Sequence, residues 1–184
     1  MTEVKLQFGL GKDGKEFSVT QKSYLKNVVE ILELALNTED FRKEVTKYSF
    51  KTKIGIRRYY FRMNKGYSRK EIFELIMAGR DIFEIEEDTI DLLISPYKKE
   101  KKYHAYTKPS IKEIYLNTTY LDYCVDHSNR IKALSRVANT LLHEYIHNLG
   151  FGHKTNKPSD YNDTTVPYAV GTIIKMIIRK KNTK

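Results

Sequence analysis

The sequence has little cysteine and no long hydrophobic run, and each shortage excludes a class of protein. A single cysteine, Cys124, in 184 residues excludes an internal disulfide framework and fits a reducing compartment. The hydrophobic runs fall far short of the roughly 20 residues that a membrane-spanning helix needs. The N-terminal residues lack a basic segment followed by an apolar one, so we expect no secretory signal and a cytoplasmic location. Export by a route without a signal stays open.

Acidic residues are also fewer than basic ones. The chain has 23 Asp and Glu against 33 Lys and Arg, a formal net charge of +10. This excess, and the mixture of cations and aromatics from Phe50 to Phe61, are typical of a surface that contacts nucleic acid. The same run also fits an amphipathic strand whose basic face is solvated. We favour the strand and expect no nucleic-acid partner, but a basic nucleic-acid-binding protein remains an alternative.

The overall composition is that of an ordinary globular protein, with 40% hydrophobic and 30% charged residues. A chain of this length can bury enough surface to form a core without covalent staples. We therefore predict one domain over residues 1–184.

Local patterns predict an α+β fold. Apolar residues three and four apart predict a buried helix, capped by Ser23, whose inner face is formed by Leu25, Val28, Val29, Leu32 and Leu36. Strand patterns predict an N-terminal hairpin of Val4–Phe8 and Phe17–Thr20, then the strands Leu92–Ile94, Tyr103–Thr107 and Ile111–Leu116. A capping box at Ser68 and Glu71 predicts a helix that ends at Gly79, and a last helix is predicted to hold Met176 in the core.

The most informative segment runs from His143 to His153 and reads H-E-Y-I-H-N-L-G-F-G-H. Helical residues four apart lie on one face, so His143 and His147 can direct imidazole nitrogens at one ion. Gly150 stands where a helix needs a left-handed residue to end, and the chain can then return His153 as a third ligand. Three protein ligands leave a fourth position open, which is typical of catalytic zinc sites.

Glu144 follows the first of these histidines and is not needed to complete the ligand set. A carboxylate at this place can accept a proton from metal-bound water, whose pKa zinc brings down to about 7. The segment therefore predicts one catalytic Zn²⁺ ion and a hydrolase in which Glu144 is the general base.

All five fixed positions of the segment match H-E-x-x-H-x-x-G-x-x-H, so the chain resembles the metzincin clan of zinc metalloproteases. The resemblance implies a twisted mixed sheet, a backing helix, a zinc helix over about 128–150 and a short C-terminal subdomain over about 151–184 that ends in a helix. It implies a zinc metalloendopeptidase that hydrolyses peptide bonds. The implied partner is a peptide or protein substrate, extended along an edge strand at about Tyr103 to Thr107.

Metzincins also carry a methionine in a tight turn beneath the metal. The corresponding region here reads T-T-V-P-Y-A-V-G, with Pro167 or Tyr168 near the position of that methionine. Because a tyrosine near this turn assists the metal site or the oxyanion in some metzincins, Tyr168 is a candidate catalytic residue.

A non-hydrolytic zinc protein is a further alternative. A fourth protein ligand, such as Asp160, Asp163 or Tyr168, would close the site. His127 and Cys124 lie just before the zinc helix, but they lack the spacing of a ligand pair and are predicted not to bind the metal.

Overall fold

The computed structural model describes residues 1–50, 66–79, 88–99, 104–108, 111–153 and 165–181. In chain order the elements of this part are β1 (Glu3–Phe8), α1 (Val19–Leu36), α2 (Glu39–Lys47), α3 (Arg69–Met77), β2 (Thr89–Tyr97), β3 (Ala105–Lys108), β4 (Ile111–Asn117), α4 (Thr118–Val125), α5 (Arg130–Asn148) and α6 (Val166–Lys181). Helices and a mixed sheet together agree with the predicted α+β class. None of the helices in these ranges combines the length and hydropathy needed to cross a membrane.

The four strands form one sheet in the order β1-β2-β4-β3. β1, β2 and β4 are parallel, whereas β3 is antiparallel to β4, with Tyr106 opposite Tyr115. The three strands predicted from residue 92 onward are therefore present, although Tyr103 lies outside the described residues. The predicted substrate strand, β3, forms one edge of this sheet.

The predicted N-terminal hairpin is wrong. β1 pairs in parallel with β2, and Val19 and Thr20 belong to α1. The turn near Gly14 does form, with a φ of 74°. The chain then enters a helix, because Ser18 and Gln21 form a capping box that favours a helix start over the strand preference of two β-branched residues.

α1 is the predicted backing helix. Its cap is Ser18 rather than Ser23, which lies exposed within the helix. All five predicted inner residues are at most 7% exposed: Leu25, Val28, Val29, Leu32 and Leu36. Each such aliphatic side chain contributes about 1.5 to 3 kcal/mol by burial, so this face fixes α1 against the sheet and α5.

The predicted capping box at the start of α3 is confirmed. The backbone N–H of Glu71 donates to Ser68, and the Glu71 carboxylate accepts from the backbone N–H of Ser68. The helix ends at Met77, two residues before the predicted Gly79, which follows the C-cap Ala78 with a left-handed φ of 67°. Of the basic and aromatic run from Phe50 to Phe61, Phe50 is buried, and residues 51–61 lie outside the described ranges.

α5 is the central helix, and it packs against β3, α1, α4 and α6. The side chains of its apolar face are all buried: Leu134, Val137, Ala138, Leu141, Leu142, Tyr145 and Leu149. α6 approaches α5 closely at Gly171, where an added Cβ would lie 2.2 Å from Oδ1 of Asn139. The polar side chains of α5 that are described in the next section lie on another face of this helix.

One expectation for α6 is wrong. Met176 was predicted in the core, yet it is 51% exposed. The buried positions of α6 include Ile173, Ile174, Ile177 and Ile178. At 3.6 residues per turn these four share one face, and Met176 falls on the opposite, solvent side.

Candidate metal centre

The end of α5 reverses the chain as predicted. Gly150 has a φ of 84°, and its N–H donates to the carbonyl of His147 at 2.8 Å. The next N–H, of Phe151, reaches back to the carbonyl of Ile146 at 3.3 Å. These two bonds satisfy helix carbonyls that would otherwise lack partners, and they turn His153 back toward the helix.

The three histidines of the motif converge on one point. Nε2 of His153 lies 3.2 Å from Nε2 of His143 and 3.2 Å from Nε2 of His147. One ligand nitrogen from each histidine falls within 4.8 Å of the others, and the group can hold a metal ion. Across the described ranges no other cluster of three His, Cys, Asp or Glu side chains has such geometry.

Backbone carbonyls orient the two histidines of α5. Nδ1 of His147 donates to the carbonyl of Phe151 at 2.7 Å. The ring of His143 bonds to the carbonyl of Pro167. A proton held on the ring nitrogen that faces a carbonyl leaves the other nitrogen, Nε2, with the lone pair that a metal requires.

The surroundings also keep these rings neutral. Burial, with smaller contributions from His147 and His153, lowers the pKa of His143 to about 2, while the bond to Pro167 opposes the shift. Burial likewise lowers the pKa of His147, against the effect of its bond to Phe151. Neutral imidazole is the form that binds metals, so both side chains are ready to bind at neutral pH.

Glu144 lies between α5 and the sheet edge and is 8% exposed. Its Oε2 accepts a hydrogen bond of 2.9 Å from the backbone N–H of Thr107 on β3. Burial raises the pKa of Glu144 to about 7, and the bond from Thr107 acts in the opposite direction. A carboxyl group with such a pKa can both accept and release a proton near neutral pH. The bond from Thr107 to Glu144 was not predicted, because a backbone N–H leaves no mark in the sequence.

Asn148 was also missed, although it directly follows His147. It is 2% exposed, and its Oδ1 accepts from the hydroxyl of Thr107 at 3.0 Å. Its Nδ2 donates to the carbonyl of Lys112 at 3.0 Å. One buried amide therefore ties α5 to both β3 and β4. A polar residue beside a buried helix face was the available signal, since such a residue needs partners.

Tyr168 lies beside the histidines, in the first turn of α6. The centroid of its ring is 4.5 Å from that of His143 and 4.8 Å from that of His153. The preceding residue, Pro167, supplies the carbonyl that holds His143. The predicted region T-T-V-P-Y-A-V-G thus contributes two residues that touch the histidines.

The other ligand candidates are accounted for differently. Nδ1 of His127 accepts from the backbone N–H of Asn129 at 3.0 Å, within a turn. Cys124 is 1% exposed, and burial raises the pKa of its thiol. Neither belongs to the histidine group. Asp160 and Asp163 lie outside the described residues.

No model of a known protein family matches the sequence, and no curated protein matches it. The function is therefore inferred from the geometry of the site.

Proposed function

We propose that the protein is a zinc-dependent peptidase of the metzincin type that hydrolyses peptide bonds. The observation that supports this most is the position of Glu144, which is buried beside three converging imidazoles and bonded to the edge of the sheet. Metal ligands, a proton acceptor and a strand edge are the parts that such hydrolysis requires.

Zinc is the ion that we propose, because the ligand set consists of nitrogens with suitable spacing. Zinc binds histidine nitrogens tetrahedrally at about 2.0 to 2.1 Å, which separates neighbouring ligands by about 3.3 to 3.4 Å. The two measured separations, each 3.2 Å, come close to that edge length. His143, His147 and His153 would hold this ion through their ring nitrogens.

Zinc, when bound, supplies a Lewis acid for the scissile carbonyl and lowers the pKa of water to about 7. Glu144 takes the proton of the attacking water and passes it to the leaving amine. The N–H of Thr107 holds the carboxylate in place for both transfers. Tyr168 donates a hydrogen bond from its phenol to the carbonyl oxygen as negative charge develops there.

The substrate would bind along β3. Tyr106 faces Tyr115 of β4, whereas the N–H of Thr107 reaches away from β4 to Glu144 on α5. This side of the edge strand therefore borders the catalytic carboxylate. An extended peptide can pair with a strand edge through its backbone, so its sequence would matter less than its lack of folded structure.

The decisive experiment compares Glu144→Gln with the parent protein. Both are loaded with one equivalent of zinc and incubated with an unfolded protein substrate, and the products are identified by mass spectrometry. We expect Glu144→Gln to keep its zinc and its fold but to lose about 10²- to 10⁴-fold in kcat, because an amide cannot accept the proton.

His143→Ala is the matched control, because it removes a ligand and should abolish both zinc binding and cleavage. A contaminating protease would survive in this variant and reveal itself. Cleavage by Glu144→Gln at nearly the parent rate would exclude the proposed mechanism.

A further inference from the structure

Polar side chains form a stripe along α5 that runs from the histidines toward the N-terminal end of the helix. Arg136 and Thr140 precede His143 at spacings of seven and three residues, so these side chains lie on the same face. At 1.5 Å per residue, Arg136 lies about 10 Å before His143 along the axis. The stripe therefore extends along α5 away from the three histidines.

Two stacked rings border this end of the stripe. The hydroxyl of Tyr120, on α4, lies 3.4 Å from Oγ1 of Thr140. His104, directly before β3, stacks on Tyr120 with centroids 3.9 Å apart and an interplanar angle of 9°. Tyr120 is partly buried, and His104 is exposed as a residue although its ring is partly covered by the stack, so the pair can be reached from solvent.

Arg136 lies one helical turn before Thr140, whose hydroxyl is bonded to the Arg136 carbonyl and contacts the hydroxyl of Tyr120 in this pair. The pKa of His104 is lowered first by burial of its ring and then by the guanidinium of Arg136. Burial raises the pKa of Cys124 on α4, and Arg136 is among the groups that oppose the shift. The charge of Arg136 is thus near both α4 and the start of β3.

Arg136 is partly buried, and throughout the described ranges its guanidinium makes neither an ion pair nor a hydrogen bond. Taking a charge partly out of water without a partner is unfavourable. Guanidinium binds carboxylates through parallel hydrogen bonds, and such a ligand would offset this cost.

We propose that Arg136, with the stacked pair His104 and Tyr120, forms a subsite that binds a carboxylate of the peptide substrate. The inference rests on the proposed peptidase function and specifies its substrate class: peptides with an acidic side chain or a C-terminal carboxylate at a fixed distance from the cleaved bond. An acidic side chain and a C-terminal carboxylate would bind the guanidinium in the same way, and the test below separates them.

The distance along the edge strand from Thr107 to His104 matches the distance along α5 from His143 to Arg136. An extended chain rises about 3.3 Å per residue, so the three residues from Thr107 to His104 cover about 10 Å along β3. The seven residues from His143 to Arg136 cover about 10 Å along α5. A substrate paired with β3 therefore places a residue about three positions from the scissile bond beside Arg136.

The first test uses quenched fluorescent peptides with amidated C-termini, in which Glu, Gln or Lys occupies one position at a time. We expect the parent protein to favour Glu over Gln by about tenfold or more in kcat/KM at one position, about three residues from the cleaved bond. A second set, with a free or amidated C-terminus at that distance, shows whether the chain terminus serves as well.

Arg136→Gln should remove this preference, and Arg136→Glu should reverse it in favour of Lys. Lys132→Gln is the matched control, since it removes the same charge from an exposed position of the same helix and should keep the preference. Arg136→Lys keeps the charge but lacks the planar guanidinium, so it should retain part of the preference for Glu. This variant keeps the test informative if Arg136→Gln folds poorly.

Peptide binding provides a readout that does not need turnover. In the Glu144→Gln background, the Kd of the Glu peptide, measured by fluorescence anisotropy, should rise about tenfold on Arg136→Gln, and that of the Gln peptide should not change. Parent cleavage with equal Glu and Gln rates at every position would overturn the subsite and leave the peptidase intact. If the parent cleaves no peptide, the proposed function fails, and equal Kd values for the two peptides overturn the subsite as well.

Discussion

His147 and His153 are linked by a short chain reversal, and two of its residues help to position the three histidines. The carbonyl of Phe151 accepts from His147 within this reversal, while Gly150 supplies the left-handed backbone that starts it. The loop that positions His153 therefore also orients His147. Shifts in this loop would disturb two ligands together.

His153→Ala tests the contribution of the third ligand. It removes one of three nitrogens and leaves the bonds of the other two histidines to Phe151 and Pro167 in place. Loss of an outer-shell partner typically costs 10- to 100-fold in metal affinity, so loss of a ligand should cost more than about 100-fold. Competition with a chromophoric chelator measures the zinc Kd. His127→Ala is the control and should bind zinc like the parent, and an unchanged Kd in His153→Ala would remove His153 from the ligand set.

Tyr168→Phe tests the phenol beside the metal group. Only a hydroxyl is lost, so the fold and the ring contacts with His143 and His153 should persist. If the phenol stabilises the developing oxyanion, kcat should fall about 10²-fold while the zinc Kd stays constant. A weaker zinc Kd would instead identify Tyr168 as a fourth ligand and favour the non-hydrolytic alternative. Unchanged values of both would leave Tyr168 a packing role.

At the scale of whole elements, α1, α5 and the three strands of the second half could be predicted because each has a local periodic pattern. The turn at Gly150 could be predicted because glycine readily adopts the left-handed backbone that ends a helix. The N-terminal hairpin could not be excluded, because parallel pairing of β1 with β2 joins segments more than eighty residues apart, as Glu3 and Thr89 illustrate. The bonds of Thr107 and Asn148 were missed for a related reason: they arise only when distant elements pack.

Asn148→Ala tests the link between α5 and the sheet edge. It removes the bonds to the hydroxyl of Thr107 and to the carbonyl of Lys112. The Thr107 hydroxyl can still donate to the carbonyl of Glu113, so the main loss is the bond to the carbonyl of Lys112. A lost hydrogen bond typically costs about 0.5 to 1.5 kcal/mol, so the free energy of unfolding by urea should fall by about that amount. The kcat/KM for long peptides should also fall, because β3 is less firmly held beside Glu144, while zinc binding remains.

Thr107→Val is the companion variant for this test. It replaces the hydroxyl with a methyl group, which also removes the bond to the carbonyl of Glu113, and it keeps the backbone N–H that donates to Glu144. Its effect on kcat should therefore be smaller than that of Asn148→Ala. A fully active, equally stable Asn148→Ala protein would show that the edge strand is held by other contacts.

At the scale of the whole molecule, the single cysteine provides a probe of unfolding. Cys124 is 1% exposed, and burial raises the pKa of its thiol, so reaction with a disulfide reagent requires the structure around it to open. The three histidines, which can hold a metal ion, lie on both sides of the α5 terminus, so the zinc that we propose would bind only the folded chain. At free zinc of about 1,000 times Kd, ligand binding adds about 4.1 kcal/mol to stability.

We therefore expect zinc to slow the labelling of Cys124 and a chelator to reverse the effect. If labelling requires global unfolding, the change approaches about 10³-fold at that zinc concentration. Absorbance of the released thiol reagent follows the reaction. His153→Ala should show little dependence on zinc, and equal labelling rates of the parent with and without zinc would mean that Cys124 is reached by a local opening unrelated to the metal group.

The contact between Glu144 and the N–H of Thr107 has a consequence for how the protein can change in evolution. Every amino acid except proline carries that N–H, so the group that holds the proposed base survives nearly any substitution at position 107. Side chains along this strand can then vary as substrates change, without loss of the contact that holds the carboxylate. Selection for a new specificity and selection for catalysis can act at the same position without conflict.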